Sequence, residues 1–126
     1  MSLATLLTDQ QQRLDALITL LSSEQNLLTQ GDIDGDALTK VALEKQTLLT
    51  ELERIESVRR NVQQRLGYAD GAKGAREAAA NAGCQTAWDS LLEKSERASR
   101  MNELTGQMWS VRMKHNQAML DYIRQI

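Results

Sequence analysis

The 126-residue chain has no proline and no phenylalanine, one cysteine and one histidine. Each absence excludes something. Lone Cys84 rules out an internal disulfide and fits a reducing compartment. No catalytic group lies near it in sequence, so it reads as a small packing residue. Lone His115 has no Cys or His partner for a metal ligand set. No Glu precedes it by three residues, so the di-iron helix motif is missing. Any serine, histidine and acid set would have to use His115 as well. There is no GxGxxG and no GxxxxGK[ST], and DGAKG at 70–74 is too short and lacks a strand before it. The sequence offers no catalytic residue, no metal site and no cofactor site, and no enzyme is expected. A net charge of −2 leaves no nucleic-acid footprint. No apolar run approaches the roughly 18 residues of a membrane span, and MSLATLLTDQQQR lacks a basic leader region. The expected location is the cytoplasm, without membrane insertion.

What remains is helix-forming: Leu, Ala, Gln, Glu, Lys and Arg dominate. A stripe with alternating gaps of four and three runs Leu3, Leu7, Gln10, Leu14, Leu17, Leu21, Glu24, Leu28. A second runs Leu38, Val41, Lys45, Leu48, Leu52, Ile55, Arg59, Val62, Leu66. Both are heptad seams, and a short connection makes their helices antiparallel neighbours. Residues whose numbers sum to 69 then face each other: Leu28 with Val41, Leu21 with Leu48, Leu14 with Ile55, Leu7 with Val62, Leu3 with Leu66. The polar positions also meet, Glu24 with Lys45 and Gln10 with Arg59. Polar pairs in an apolar seam fix register by excluding slipped alignments, so these four residues read as structural. Arg54, Arg59, Arg60 and Arg65 are interleaved with acids and read as a solvated helix face.

The seam midpoint falls in LLTQGDIDGDALTKVALEK, residues 27–45. Asp32, Asp34 and Asp36 alternate there as at the start of a calcium loop. Counted from Asp32, however, position 6 is Ala37 and position 12 is Leu43, where that loop needs Gly and a bidentate Glu. The stretch reads as a bend. Gly31 is placed to end the first helix in the left-handed conformation, and Asp36 to cap the second.

GYADGAKG, residues 67–74, is a glycine-rich connector. AREAAANAG, 75–83, is a short helical piece ending at Gly83. A long helix opens at Gln85 or Thr86 and runs to the chain end. Its second half is apolar on two faces. One is Met101, Leu104, Met108, Val111, His115, Tyr122; the other is Trp109, Met113, Asn116, Leu120, Ile123, with Met119 between them. A two-helix hairpin covers only one such face. Four of the five methionines lie between 101 and 119, and thioethers suit adaptable surfaces. The expected fold is all-α: an antiparallel coiled-coil-like hairpin over 1–66, a connector with a short helix over 67–84, and an amphipathic helix over 85–126. Together they make a single three-helix bundle.

The segment LLSSEQNLLTQGDIDGDALTKVALEKQTLLTELERIESVRR, residues 20–60, resembles the FlgN-like family of flagellar type III export chaperones. The matching positions are Leu20, Leu21, Glu24, Leu27, Leu28, Gly31, Asp32, Lys45, Leu48, Leu49 and Arg59. NELTG at 102–106 is similar to an Asn…Gly motif of the family's last helix, with Thr105 where an asparagine is common. The resemblance implies a cytosolic all-α chaperone. Such a protein holds hook–filament junction proteins soluble, captures their terminal helical segments on its C-terminal region, and delivers them to the flagellar export apparatus. The expected client anchors are Met108, Val111, Met119, Leu120, Tyr122 and Ile123. The alternative is a structural coiled-coil protein whose spare face pairs with a second copy as a homodimer.

Overall fold

The computed structural model describes residues 2–125. Met1 and Ile126, the outer limits of the expected first and third units, lie outside the described residues. Four helices follow in order: α1 (Leu3–Leu28), α2 (Gly35–Arg65), α3 (Ala72–Asn81) and α4 (Gln85–Gln125). The chain is an all-helical bundle of three long helices and one short one.

Ser2 starts α1, its hydroxyl accepting the Thr5 N–H at 3.2 Å. Every position of the first stripe is then buried, with Leu6 added. Leu7 and Leu21 are fully enclosed. On α2, Leu38, Val41, Ile55 and Arg59 are buried, and Lys45, Leu48, Leu52 and Val62 half-buried. Leu66 stays 58% exposed, so the seam does not bury its last expected position. At that end Leu3 and Leu7 share a core with Ala75, Ala78 and Ala79 of α3 and Trp88 of α4. Arg59 is thus no part of a solvated arginine face, unlike Arg54, Arg60 and Arg65, which are exposed.

The bend differs from expectation in two details. Gly31 does not take a positive φ; α1 closes at Thr29 in right-handed geometry, with the Thr29 N–H on the Gln25 and Asn26 carbonyls. The cap of α2 is Asp34, not Asp36, and its carboxylate accepts the Ala37 N–H at 3.0 Å. Both aspartates have cap chemistry. Using the earlier one lengthens the helix and leaves Asp36 in the first turn, where the helix dipole favours a negative charge.

Gly67 and Gly83 end α2 and α3 with positive φ. In each case the next N–H reaches back to the third-last carbonyl of the helix, Tyr68 to Gln63 and Cys84 to Ala79. Helix α3 starts at Ala72, earlier than the expected 75. Its Gly74 lies so close to the Ala69 carbonyl that a Cβ would collide with it. Buried Cys84 packs in the main core.

Helix α4 runs parallel to α1. Gln11 donates to the Ala87 carbonyl, Lys94 pairs with Asp15, and Gln25 donates to the Met101 carbonyl and to Thr105. Near the bend Arg112 donates to the Gly31 carbonyl at 2.7 Å. The two helices start near the same end, but α4 has 41 residues against 26 for α1. Residues 113–125 therefore run past the hairpin tip as a free arm of about 20 Å at 1.5 Å per residue.

Candidate partner-binding surface

On α4, Trp88, Leu91, Ala98 and Thr105 face α1 and are buried. The same helical line continues through Trp109, Asn116, Leu120 and Ile123. Once α1 has ended, nothing among the described residues covers it, and every residue of 113–125 is exposed. A second line, Leu104, Val111 and Tyr122, is exposed at 49%, 68% and 64%, and Met108 on it is half-buried. It points to one side of α1 even where α1 is present. The two lines merge on the arm into one broad apolar arc, while Lys114, Gln117, Asp121 and Arg124 take the other side. The arc is wider than the single stripe that one packed helix neighbour covers.

Of the six expected anchors, Met108 and Val111 lie beside the hairpin tip. They line an open groove of about 520 Å³ with Leu28, Leu104 and His115. Met119, Leu120, Tyr122 and Ile123 lie on the arm, 49–64% exposed. Leu104 and Met113 are equally accessible, at 49% and 64%, and belong to the same surface although they are outside the expected anchor set. Their positions in the two stripes were the available signal.

The arm is held at its root by a buried carboxylate. Glu24, 4% exposed, accepts Lys45 Nζ at 3.0 Å on Oε1 and Trp109 Nε1 at 2.9 Å on Oε2. One acid of α1 thus joins α2 and α4. The tryptophan was not part of the expected pair.

At the other end Gln10 and Arg59 do not bond to each other. Glu56 stands between them, accepting Gln10 Nε2 at 2.8 Å and Arg59 Nε at 2.9 Å. Glu56 lies one turn from Arg59 on the same helix, so the guanidinium fork closes onto it locally. Arg59 also donates to Gln63 at 2.8 Å and lies 5.0 Å from the Trp88 ring centroid, a cation–π contact. Gln63 in turn holds the Ala69 carbonyl of the connector. Burial by itself raises the Glu56 pKa. Hydrogen bonds from Arg59 and Gln10, with the charges of Arg59 and Arg60, outweigh burial and hold it below the ordinary carboxylate value. Each tryptophan of α4 therefore meets a charged hub, one at either end of the bundle.

No three His, Cys, Asp or Glu side chains converge on a common point among the described residues. No described helix is long and apolar enough to cross a membrane.

The FlgN protein family model matches residues 1–126. Two curated proteins, each called Flagella synthesis protein FlgN, come from Salmonella typhimurium (strain LT2) and Salmonella typhi. Each is 26% identical to this chain over 111 residues, covering 88% of this chain and 71% of the relative. No solved structure matches the chain.

Proposed function

This chain belongs to the FlgN family, and from that premise we propose that it is a cytosolic export chaperone for flagellar hook–filament junction proteins. It keeps these clients soluble and delivers them to the type III export apparatus. The client's terminal helical segment packs on the C-terminal half of α4, with Met108, Val111, Met119, Leu120, Tyr122 and Ile123 as anchors. One observation carries this reading: the 113–125 arm exposes an apolar arc that the chain's own hairpin is too short to cover. An amphipathic client helix satisfies such an arc in helix-against-helix fashion. The hairpin and α3 then act as a rigid base, with Glu24, Lys45, Gln10 and Arg59 fixing the register on which the arm is mounted.

Size exclusion with light scattering tests the proposal, on the chain alone and then mixed with a hook–filament junction protein. The expected result is a monomer that shifts to a one-to-one complex. A stable dimer that ignores the client points to the homodimer reading, with the apolar arc already satisfied by a second copy.

A further inference from the structure

The sulfur atoms of the chain differ sharply in their access to water. Cys84, 9% exposed, is enclosed in the main core with Ala79 and Trp88. Among the described residues the other sulfurs are the thioethers of Met101, Met108, Met113 and Met119, all on α4. Met101 packs against the core and Met108 lines the groove at the hairpin tip, each half-buried. Met113 and Met119 stand on the arm, 64% and 51% exposed. A free thiol ordinarily meets an oxidant before a thioether does, but a thiol buried in a core is inert. Access then sets the order of attack, and the arm's thioethers come first. Met113 lies on the line that faces α1 further down the helix, and Met119 lies between the two lines. Both sulfurs therefore belong to the apolar arc, away from Lys114, Gln117, Asp121 and Arg124.

We propose that Met113 and Met119 form an oxidation site, where a peroxide converts each thioether to the sulfoxide and thereby weakens client binding. A sulfur lone pair attacks one oxygen of hydrogen peroxide, the S–O bond forms and the O–O bond breaks. Sulfur gives up two electrons and the peroxide is reduced. The leaving hydroxide takes the proton of the transferred oxygen and departs as water. The product is polar, so a partner that buries it loses apolar contact and must desolvate a dipole. Neither side chain is packed in the bundle, so the fold beneath is untouched. The step is reversible, because methionine sulfoxide reductases return the sulfoxide to the thioether. The loss of binding rests on the proposed chaperone function; the order of oxidation does not.

Two measurements test this. In the first, the chain is treated with hydrogen peroxide, the excess is destroyed with catalase, and the product is mapped by peptide mass spectrometry. Met113 and Met119 are expected to gain one oxygen each at a dose that leaves Met101 and Cys84 unchanged. Earlier oxidation of Met101 or Cys84 overturns the site. The oxidised chain is expected to keep the wild-type urea midpoint. An earlier midpoint means that the two thioethers are packed in solution, and it overturns the site as well.

In the second, a hook–filament junction protein is added only after the catalase step, so that its own sulfurs are spared. Its affinity for the oxidised chain is expected to fall about tenfold and to recover after reductase treatment. Met113→Leu with Met119→Leu, a volume-conserving exchange, should bind like the untreated wild type and keep its affinity through peroxide. Unchanged affinity of the oxidised wild type, or an equal loss in the double variant, overturns the proposal. A client that ignores the untreated wild type overturns the chaperone function and the loss of binding with it, while the oxidation map still decides the site.

Discussion

Trp109 donates its indole N–H to the same buried carboxylate, Glu24, that receives Lys45. The ion pair of the hairpin therefore also positions the root of the arm, and hairpin register and arm position are one structural decision. A shift of α2 by one heptad would remove Lys45 from Glu24 and leave a buried charge holding only an indole. Removing one member of a buried pair costs about 3–5 kcal/mol. Lys45 keeps a side-chain exposure of 21% and still reaches water, so Glu24→Ala should fall near the lower limit. Urea unfolding followed by circular dichroism measures it. Trp109→Phe removes one hydrogen bond and should cost about 1–2 kcal/mol, with the loss of protection from hydrogen exchange concentrated after residue 105.

Much of this was legible in the sequence. The hairpin seam was, because a heptad stripe states both which face is buried and which residue lies opposite. The Glu24–Lys45 contact followed from that register. The offset of α4 did not, since nothing local says where a parallel third helix starts along its neighbour, and the offset creates the arm. Glu56 was hidden for another reason. It lies off the seam, and only the reach of the Gln10 and Arg59 side chains brings it between them. At the bend, Asp34 and Asp36 are chemically equal as caps, so the choice depended on where the helix gained most.

The Glu56 hub should show in the acid limb of stability. Its carboxyl has a lower pKa in the folded chain than its ordinary value. The stabilisation is therefore complete above the ordinary value and is lost as pH falls from there through the lowered folded value. Glu56→Gln should be less stable than wild type at neutral pH, with the gap narrowing across that acid window. Thermal melts between neutrality and pH 3 give the comparison. A gap constant with pH would mean that the charge of Glu56 contributes nothing to the hub.

Two glycines should respond in opposite directions to the same substitution. A Cβ at Gly74 collides with the Ala69 carbonyl, which Gln63 holds in place. Gly74→Ala should therefore cost about 1–3 kcal/mol, as overpacking does. A Cβ at Gly106 meets nothing within 4 Å inside a continuous helix. Gly106→Ala should stabilise α4 by up to about 1 kcal/mol. Denaturant midpoints of the two variants decide both signs.

The arm and the core should separate cleanly under the same chemical insult. Val111 is 68% exposed and Leu120 49%, so aspartate at either position removes little packing and buries no charge. Such surface changes stay within about 0.5 kcal/mol. Leu21 is fully enclosed on α1, and Leu21→Asp both empties its site and forces a carboxylate into the core, which should unfold the chain. Urea titration and client binding, measured on the same three variants, separate the two roles. The proposed function expects Val111→Asp and Leu120→Asp to melt like wild type and to fail to hold a hook–filament junction protein. If either variant melts early, its side chain is covered in solution, and the arm must then fold back on its own bundle or pair with a second copy.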